Sequence, residues 1–179
     1  MSSKIAVLLY RGNIFLDMQD ETKKTTFGAG CFWGIEAAFK KLKGVISATS
    51  GYMGGHKENP TYEDVCTGKT GHAEAVEVVY DPQKITYQKL LEVFWKIHDP
   101  TTLNRQGPDI GSQYRSAIFY HDEEQGNIAN ESKKKLEESK TFKSKIVTKI
   151  TPAALFYKAE EYHQNYYEKH GINSCGIKY

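Results

Sequence analysis

Strand-like and helix-like segments alternate along this chain from about residue 24 to about residue 170, and no unit of roughly 20 to 50 residues repeats. That alternation holds the chain to a mixed α and β architecture. Residues 24–29 read as a strand running into Gly30, after which Ile35, Ala38, Phe39 and Leu42 lie on one helical stripe, so Cys31 opens a helix. Residues 45–52 read as a second strand, followed by a loop of turn formers from Gly54 through Asn59 and Pro60 that ends near Tyr62. Residues 72–80, rich in Val and Ala, read as a strand stopped by Asp81 and Pro82. Residues 87–97 then carry an apolar face through Leu90, Leu91 and Phe94.

Further along, residues 99–111 contain Pro100, Gly107, Pro108 and Gly111 and read as a long ordered loop, a kind of segment that is often functional. It feeds a strand over 114–120. Residues 127–140 form a polar helix with Glu131 and Lys135 in the favourable order, a solvated face with no chemistry assigned. A short strand near 147–150 precedes Pro152, and residues 159–170 are expected to form a last helix closed by Gly171. Beyond it, residues 171–179 are expected to form a mobile tail carrying Cys175.

A length of 179 residues suits one domain with a sizeable core. We therefore expect residues 1–179 to be a single domain, with 1–22 as an N-terminal extension that adds a strand and 24–170 as the core. Twenty-four basic against 22 acidic side chains leave +2, far from the dense positive field of a nucleic-acid or anionic-membrane binder. Three cysteines, Cys31, Cys66 and Cys175, are too few and too odd for a disulfide scaffold, so reducing surroundings fit better. The apolar run at residues 5–10 is six residues long and ends at Arg11, too short for a signal-peptide core or a membrane span. A cytoplasmic monomer is the expectation.

Chemistry gathers first at Gly30-Cys31-Phe32-Trp33-Gly34. A helix N-terminus offers unpaired N–H groups and a dipole that favour an anion, and a thiolate is one. Such a position lowers a thiol pKa from about 8.5 towards neutrality. A buried structural cysteine is the competing reading, since free Cys is often buried; the flanking glycines and the two aromatics favour the reactive one. Gly28, Gly30 and Gly34 do not make a dinucleotide fingerprint, because Trp33 occupies the place of the third glycine. Without a Cys-x-x-Cys or His-x-x-x-His pair, no metal and no cofactor is assigned. Glu74 alternates with Val76 and Val78, so it is either a desolvated general acid or an edge-strand carboxylate facing water. Tyr62 and Tyr114 flank the neighbouring loops as either phenolic donors or amphipathic packing.

Five segments occur in order: Gly30-Cys31-Phe32-Trp33-Gly34, Asn59-Pro60-Thr61-Tyr62 to Cys66, Gly71-His72-Ala73-Glu74, His98-Asp99-Pro100-Thr101, and Asn104-Arg105-Gln106-Gly107 to Gln113-Tyr114-Arg115-Ser116. Together they closely resemble the peptide methionine sulfoxide reductase A family over about residues 25 to 171. The resemblance implies a two-layer α/β sandwich with a ferredoxin-like core, a mixed β-sheet with flanking helices and a long C-terminal coil. It also implies reduction of the S epimer of methionine sulfoxide, free or in proteins. Carried over by position, Cys31 is the nucleophile, Glu74 the proton donor, and Tyr62 and Tyr114 the donors to the sulfoxide oxygen. Phe32 and Trp33 hold the S-methyl group, and Asp109 shapes the site network.

A sulfenic acid on Cys31 would be resolved by Cys175, and thioredoxin is the family's usual reductant. Many members of the family carry two recycling cysteines near the C-terminus, whereas this chain has one there. Cys66, inside a fixed motif, reads as a packed thiol. Two rivals predict different behaviour. A cysteine hydrolase would pair Cys31 with a histidine and have no need of Cys175. An RNA-binding ferredoxin-like sheet would show salt-dependent binding, against which the small net charge and the missing basic aromatic strand motif count.

Overall fold

The computed structural model describes residues 22–172. The strand expected in the N-terminal extension and the tail cysteine Cys175 lie outside the described residues. Strand β1 (Lys23–Ala29) runs into helix α1 (Phe32–Lys40), followed by β2 (Val45–Met53), the short helix α2 (Tyr62–Cys66), β3 (Ala73–Tyr80) and α3 (Tyr87–Lys96). A small ribbon, β4 (Arg105–Gln106) and β5 (Asp109–Ile110), leads through a 3-10 turn at Ser112–Tyr114 into β6 (Ser116–Tyr120). Helix α4 (Glu123–Glu138), β7 (Lys149–Pro152), β8 (Tyr157–Lys158) and α5 (Tyr166–Lys169) complete the described chain.

One six-stranded sheet has the order β7-β6-β1-β3-β2-β8. The pairs β6-β1, β1-β3 and β3-β2 are antiparallel. With α1 between β1 and β2, and α3 between β3 and β6, these strands make the split βαβ arrangement of a ferredoxin-like core. β7 is added parallel to β6 and β8 antiparallel to β2. The expected α/β sandwich is therefore the observed architecture.

Alternation sorts the side chains of β3 onto two faces. Val76, Val78 and Tyr80 pack with Phe39 of α1 and with Leu90 and Phe94 of α3, and Glu74 shares their side of the sheet. Ala73 and Ala75 face the other way, into a smaller cluster with Met53, Ala117 and Phe119. Phe27 on β1 stacks between Phe39 and Phe94 with ring centroids 5.0 and 5.1 Å away. Burying one such ring stabilises the fold by roughly 1.5–3 kcal/mol. The sheet is thus held against α1 near the C-terminal end of that helix, the end away from Cys31.

Several elements depart from the sequence expectations. Helix α4 begins at Glu123 rather than near residue 127, because the Asp122 carboxylate caps the Gln125 N–H at 2.8 Å. The strand expected over 114–120 starts at Ser116, and Tyr114 closes the 3-10 turn instead. The loop at 99–111 contains the β4-β5 ribbon. β7 runs on through Pro152, which is tolerated because β7 is an edge strand.

The largest correction concerns residues 159–170, which are turns followed by the four-residue α5 rather than one helix. Tertiary hydrogen bonds override the local pattern there. Ala159 N–H donates to the Ser50 carbonyl at 3.0 Å, and the Gln164 amide both accepts from Ser50 N–H at 3.1 Å and donates to its carbonyl at 2.9 Å. Asn165 sits in the left-handed region at φ 55°, its N–H on the buried Glu36 carboxylate at 2.9 Å.

Candidate active site

Gly30 turns the chain from β1 into α1 at φ +95°, a conformation that L side chains rarely adopt. A Cβ there would also lie 2.6 Å from Cγ of Gln106, so the β4-β5 ribbon packs directly on this turn. Cys31 follows as the N-cap of α1, half-buried, and its side chain forms no capping bond to the helix. The first N–H of the helix has another partner: Phe32 N–H donates to Glu74 Oε2 at 3.0 Å. Sheet register explains this contact. β3 lies beside β1, and the side of β3 that carries Glu74 is the side covered by α1.

Glu74 is 2% exposed. Burial pushes its carboxyl up to about 8, the Phe32 N–H pulls it back, and the charge of Asp109 pushes it further up. At neutral pH this group holds its proton, as a general acid must. The desolvated alternative of the two sequence readings is therefore the observed one, and the edge-strand alternative fails because β3 is flanked on both sides by β1 and β2.

Tyr62 and Tyr114 converge on the same place from α2 and the 3-10 turn. Burial first raises the Tyr114 phenol, up to about 12, with Glu74, Cys66, Asp109 and Cys31 adding to the effect. Tyr62 is raised further, by burial, by a hydrogen bond with Cys66, and by the charges of Glu74 and Tyr114. Both phenols keep their protons at any physiological pH and can serve as donors. These mutual influences bring Cys31, Glu74, Tyr62, Tyr114 and Asp109 into one electrostatic neighbourhood. A capping box at Thr61 and Asp64, with Asp64 N–H on the Thr61 hydroxyl at 3.3 Å and Thr61 N–H on the Asp64 carboxylate at 3.0 Å, fixes the start of α2.

Phe32 is buried, 1% exposed, packed on Tyr52 and His163 at centroid distances of 5.9 and 5.0 Å. Trp33 is half-buried beside it, stacked on Tyr166 at 3.7 Å, and its indole N–H donates to His163 Nδ1 at 3.0 Å. Cys66 differs from its sequence reading: it is exposed, not packed, because it lies in the last turn of α2 with its back to solvent. The sequence reasoning missed Glu160, His163 and Tyr166, which contact Tyr62, Phe32 and Trp33 from the C-terminal segment. No local pattern marks them, since they reach the site only because that segment is stapled to β2.

Comparison with known proteins identifies the family. The family model for peptide methionine sulfoxide reductase matches residues 23–179. A peptide methionine sulfoxide reductase MsrA of Methanothermobacter thermautotrophicus is 65% identical over 153 residues, covering 86% of this chain and 90% of that protein. One from Geobacter metallireducens is 56% identical over 160 residues, covering 89% and 99%. Among solved structures, reduced Mxr1 from Saccharomyces cerevisiae superposes with a TM-score of 0.82 at 37% identity, covering 88% of this chain and 91% of that one. Mxr1 in complex with Trx2 matches with a TM-score of 0.59 at 30% identity, covering 83% and 86%. A match across nearly the whole described chain, in sequence and in fold, establishes that the chain belongs to the peptide methionine sulfoxide reductase family, and that it is an oxidoreductase.

Proposed function

We propose that this enzyme reduces the S epimer of methionine sulfoxide, in oxidised proteins or free, with Cys31 as nucleophile. A sulfoxide sulfur is a poor electrophile until its oxygen is hydrogen-bonded or protonated. The Tyr62 and Tyr114 hydroxyls donate to that oxygen, and Glu74 supplies the proton. The Cys31 thiolate, favoured by the start of α1, attacks the sulfur. Phe32 and Trp33 hold the S-methyl group; burial keeps the carboxyl of Glu74 protonated, and the charge of Asp109 adds to that effect. In net terms one oxygen passes from the sulfoxide to Cys31, leaving methionine and a sulfenic acid. The Cys175 thiol then condenses with the sulfenic acid, releasing water and forming a Cys31–Cys175 disulfide. A dithiol reduces that disulfide and is itself oxidised. Thioredoxin is the proposed dithiol, a choice supported by the solved complex of the related Mxr1 with Trx2.

A single observation carries this reading: a buried carboxyl that is protonated at neutral pH, bonded to the first N–H of the helix that Cys31 caps. That pairing suits an oxygen that must leave with protons. It does not suit a hydrolase, which needs a histidine base on the sulfur. No helix of the described residues is long and apolar enough to cross a membrane. A thioredoxin-recycled disulfide fits a reducing compartment, and we place the enzyme in the cytoplasm as a monomer. The test is a thioredoxin-coupled assay on separated sulfoxide epimers, with mass spectrometry of the trapped disulfide. Consumption of the S epimer only, with Cys31 linked to Cys175, is expected. Reduction of the R epimer alone, or a trapped Cys31–Cys66 bond, would overturn the corresponding part of the reading.

A further inference from the structure

Glu160 lies in the turn-rich segment between β8 and α5, outside every motif read from the sequence. Its carboxylate meets groups from two other places in the chain and one from its own segment. Oε1 accepts the backbone N–H of Tyr62, the first residue of α2, at 2.8 Å. Oε2 accepts the hydroxyl of the fully buried Tyr52 at 2.9 Å. The same oxygen stands 4.0 Å from Nε2 of His163, a side chain only 1% exposed.

The tautomer of His163 follows from its other nitrogen. An indole N–H is a donor only, so the 3.0 Å bond from Trp33 makes Nδ1 the acceptor and puts the proton of the neutral ring on Nε2. That buried Nε2 has no hydrogen-bond partner within bonding distance, and Glu160 is the acceptor it faces. The ring of His163 in turn packs on Tyr62 with centroids 4.5 Å apart. We infer that Glu160 is a positioning residue for sulfoxide reduction: it fixes Tyr62 directly and Trp33 through the tautomer of His163, so one carboxylate aligns both the oxygen-donor side and the methyl-holding side of the pocket.

This inference rests on the proposed roles of Tyr62 and Trp33, and replacing Glu160 by Gln tests it with little change of volume. A glutamine offers one acceptor oxygen where Glu160 offers two, and its amide N–H would face the Nε2–H of His163. The ring then favours the Nδ1–H tautomer, which opposes the Trp33 indole N–H. Misplacement of a reacting group by about 1 Å costs on the order of 10²-fold in rate.

The measurement is single-turnover methionine formation per titrated Cys31 thiol, across a range of sulfoxide concentrations, in the wild type, Glu160→Gln and Tyr62→Phe. For Glu160→Gln we expect a fall of about 10-fold to 10²-fold in limiting rate together with a weaker half-saturation. A purely structural loss would lower the amount of methionine formed per thiol and leave the single-turnover rate constant and the half-saturation unchanged, and that result overturns the inference. A slow Tyr62→Phe beside a wild-type-like Glu160→Gln removes Glu160 alone, whereas a wild-type rate in Tyr62→Phe removes the Tyr62 role and the inference with it. Nitrogen-15 NMR of His163 in the unmodified enzyme needs no variant to fold. The Nε2–H tautomer is expected, and the Nδ1–H tautomer contradicts the inference.

Discussion

Two regions meet at the site, and they are built differently. The β1–α1–β3 region carries Cys31, Phe32 and Glu74 on a paired sheet and the helix packed across it, held by apolar alternation and strand register. The segment 153–172 carries Glu160, His163 and Tyr166 on little regular structure and is held by side-chain hydrogen bonds to Ser50, Tyr62, Trp33 and Glu36. In the first region a residue's place follows from its neighbours in sequence. In the second it follows from partners more than 90 positions away, as in the bond from Tyr62 to Glu160 with a separation of 98. The proposed chemistry therefore sits on the sheet-and-helix region, which we call the rigid region, and the proposed alignment of the pocket depends on the stapled one.

Replacements in the rigid region should have the largest effects. Cys31→Ser should abolish sulfoxide reduction while leaving the fold intact, read as methionine formed and as circular dichroism. Residual single-turnover activity above background would break the comparison at its first step. Cys175→Ser, beyond the segment that staples to β2, should complete about one turnover per active site and then stall as sulfenic acid unless a small thiol is supplied. Sustained thioredoxin-driven turnover by that variant would remove Cys175 as the resolving thiol.

Glu74→Gln comes next, with a single-turnover rate lower by about 10²-fold to 10⁴-fold at neutral pH, the usual worth of a general acid. The same variant has a second signature in stability. The folded-state value of about 8 stands above the ordinary 4.5, so the fold binds this proton more tightly than the unfolded chain does. The stability that results is complete below about pH 4.5 and is lost as pH rises through about 8. Glu74→Gln should flatten that part of the profile, measured as denaturant midpoint against pH. An unchanged slope would mean that Glu74 is not buried as a neutral acid.

The stapled region is sharpened by Gln164→Ala. It removes the two bonds to Ser50 and the bond to the Ala159 carbonyl at 2.9 Å, leaving buried backbone groups unpaired. A loss of about 2–4 kcal/mol is expected from chemical denaturation. Catalysis per folded molecule should fall only a few fold, since Cys31 stays at the start of α1 and Glu74 on β3. A loss of rate as large as that of Glu74→Gln would show that the two regions are not separable.

What was legible in the sequence follows the same division. Cys31 at a strand-to-helix junction and Glu74 in phase with Val76 and Val78 were readable because period and turn chemistry decide them locally. The ferredoxin-like order came from the family resemblance, not from periodicity, because strand order depends on pairings that alternation leaves open. Residues 159–170 read as a helix because Gly171 stands where a left-handed cap is common, yet Ser50 and Glu36 offer that backbone better partners than its own next turn. Cys66 read as packed because its motif is fixed, whereas the last turn of a five-residue helix leaves it at the surface. Glu160 was invisible for the same reason as the misread helix: its partners are tertiary.

The central claim is that the sulfur of Cys31 takes the oxygen of an S-configured methionine sulfoxide with Glu74 as the acid. The most direct measurement mixes Cys175→Ser enzyme with each separated epimer, without any dithiol, and follows both methionine release and the mass of the Cys31 peptide. The account predicts about one methionine per enzyme from the S epimer, with the Cys31 peptide heavier by one oxygen and no reaction of the R epimer. Methionine release without oxidation of Cys31, or no release from either epimer by folded enzyme, would contradict it.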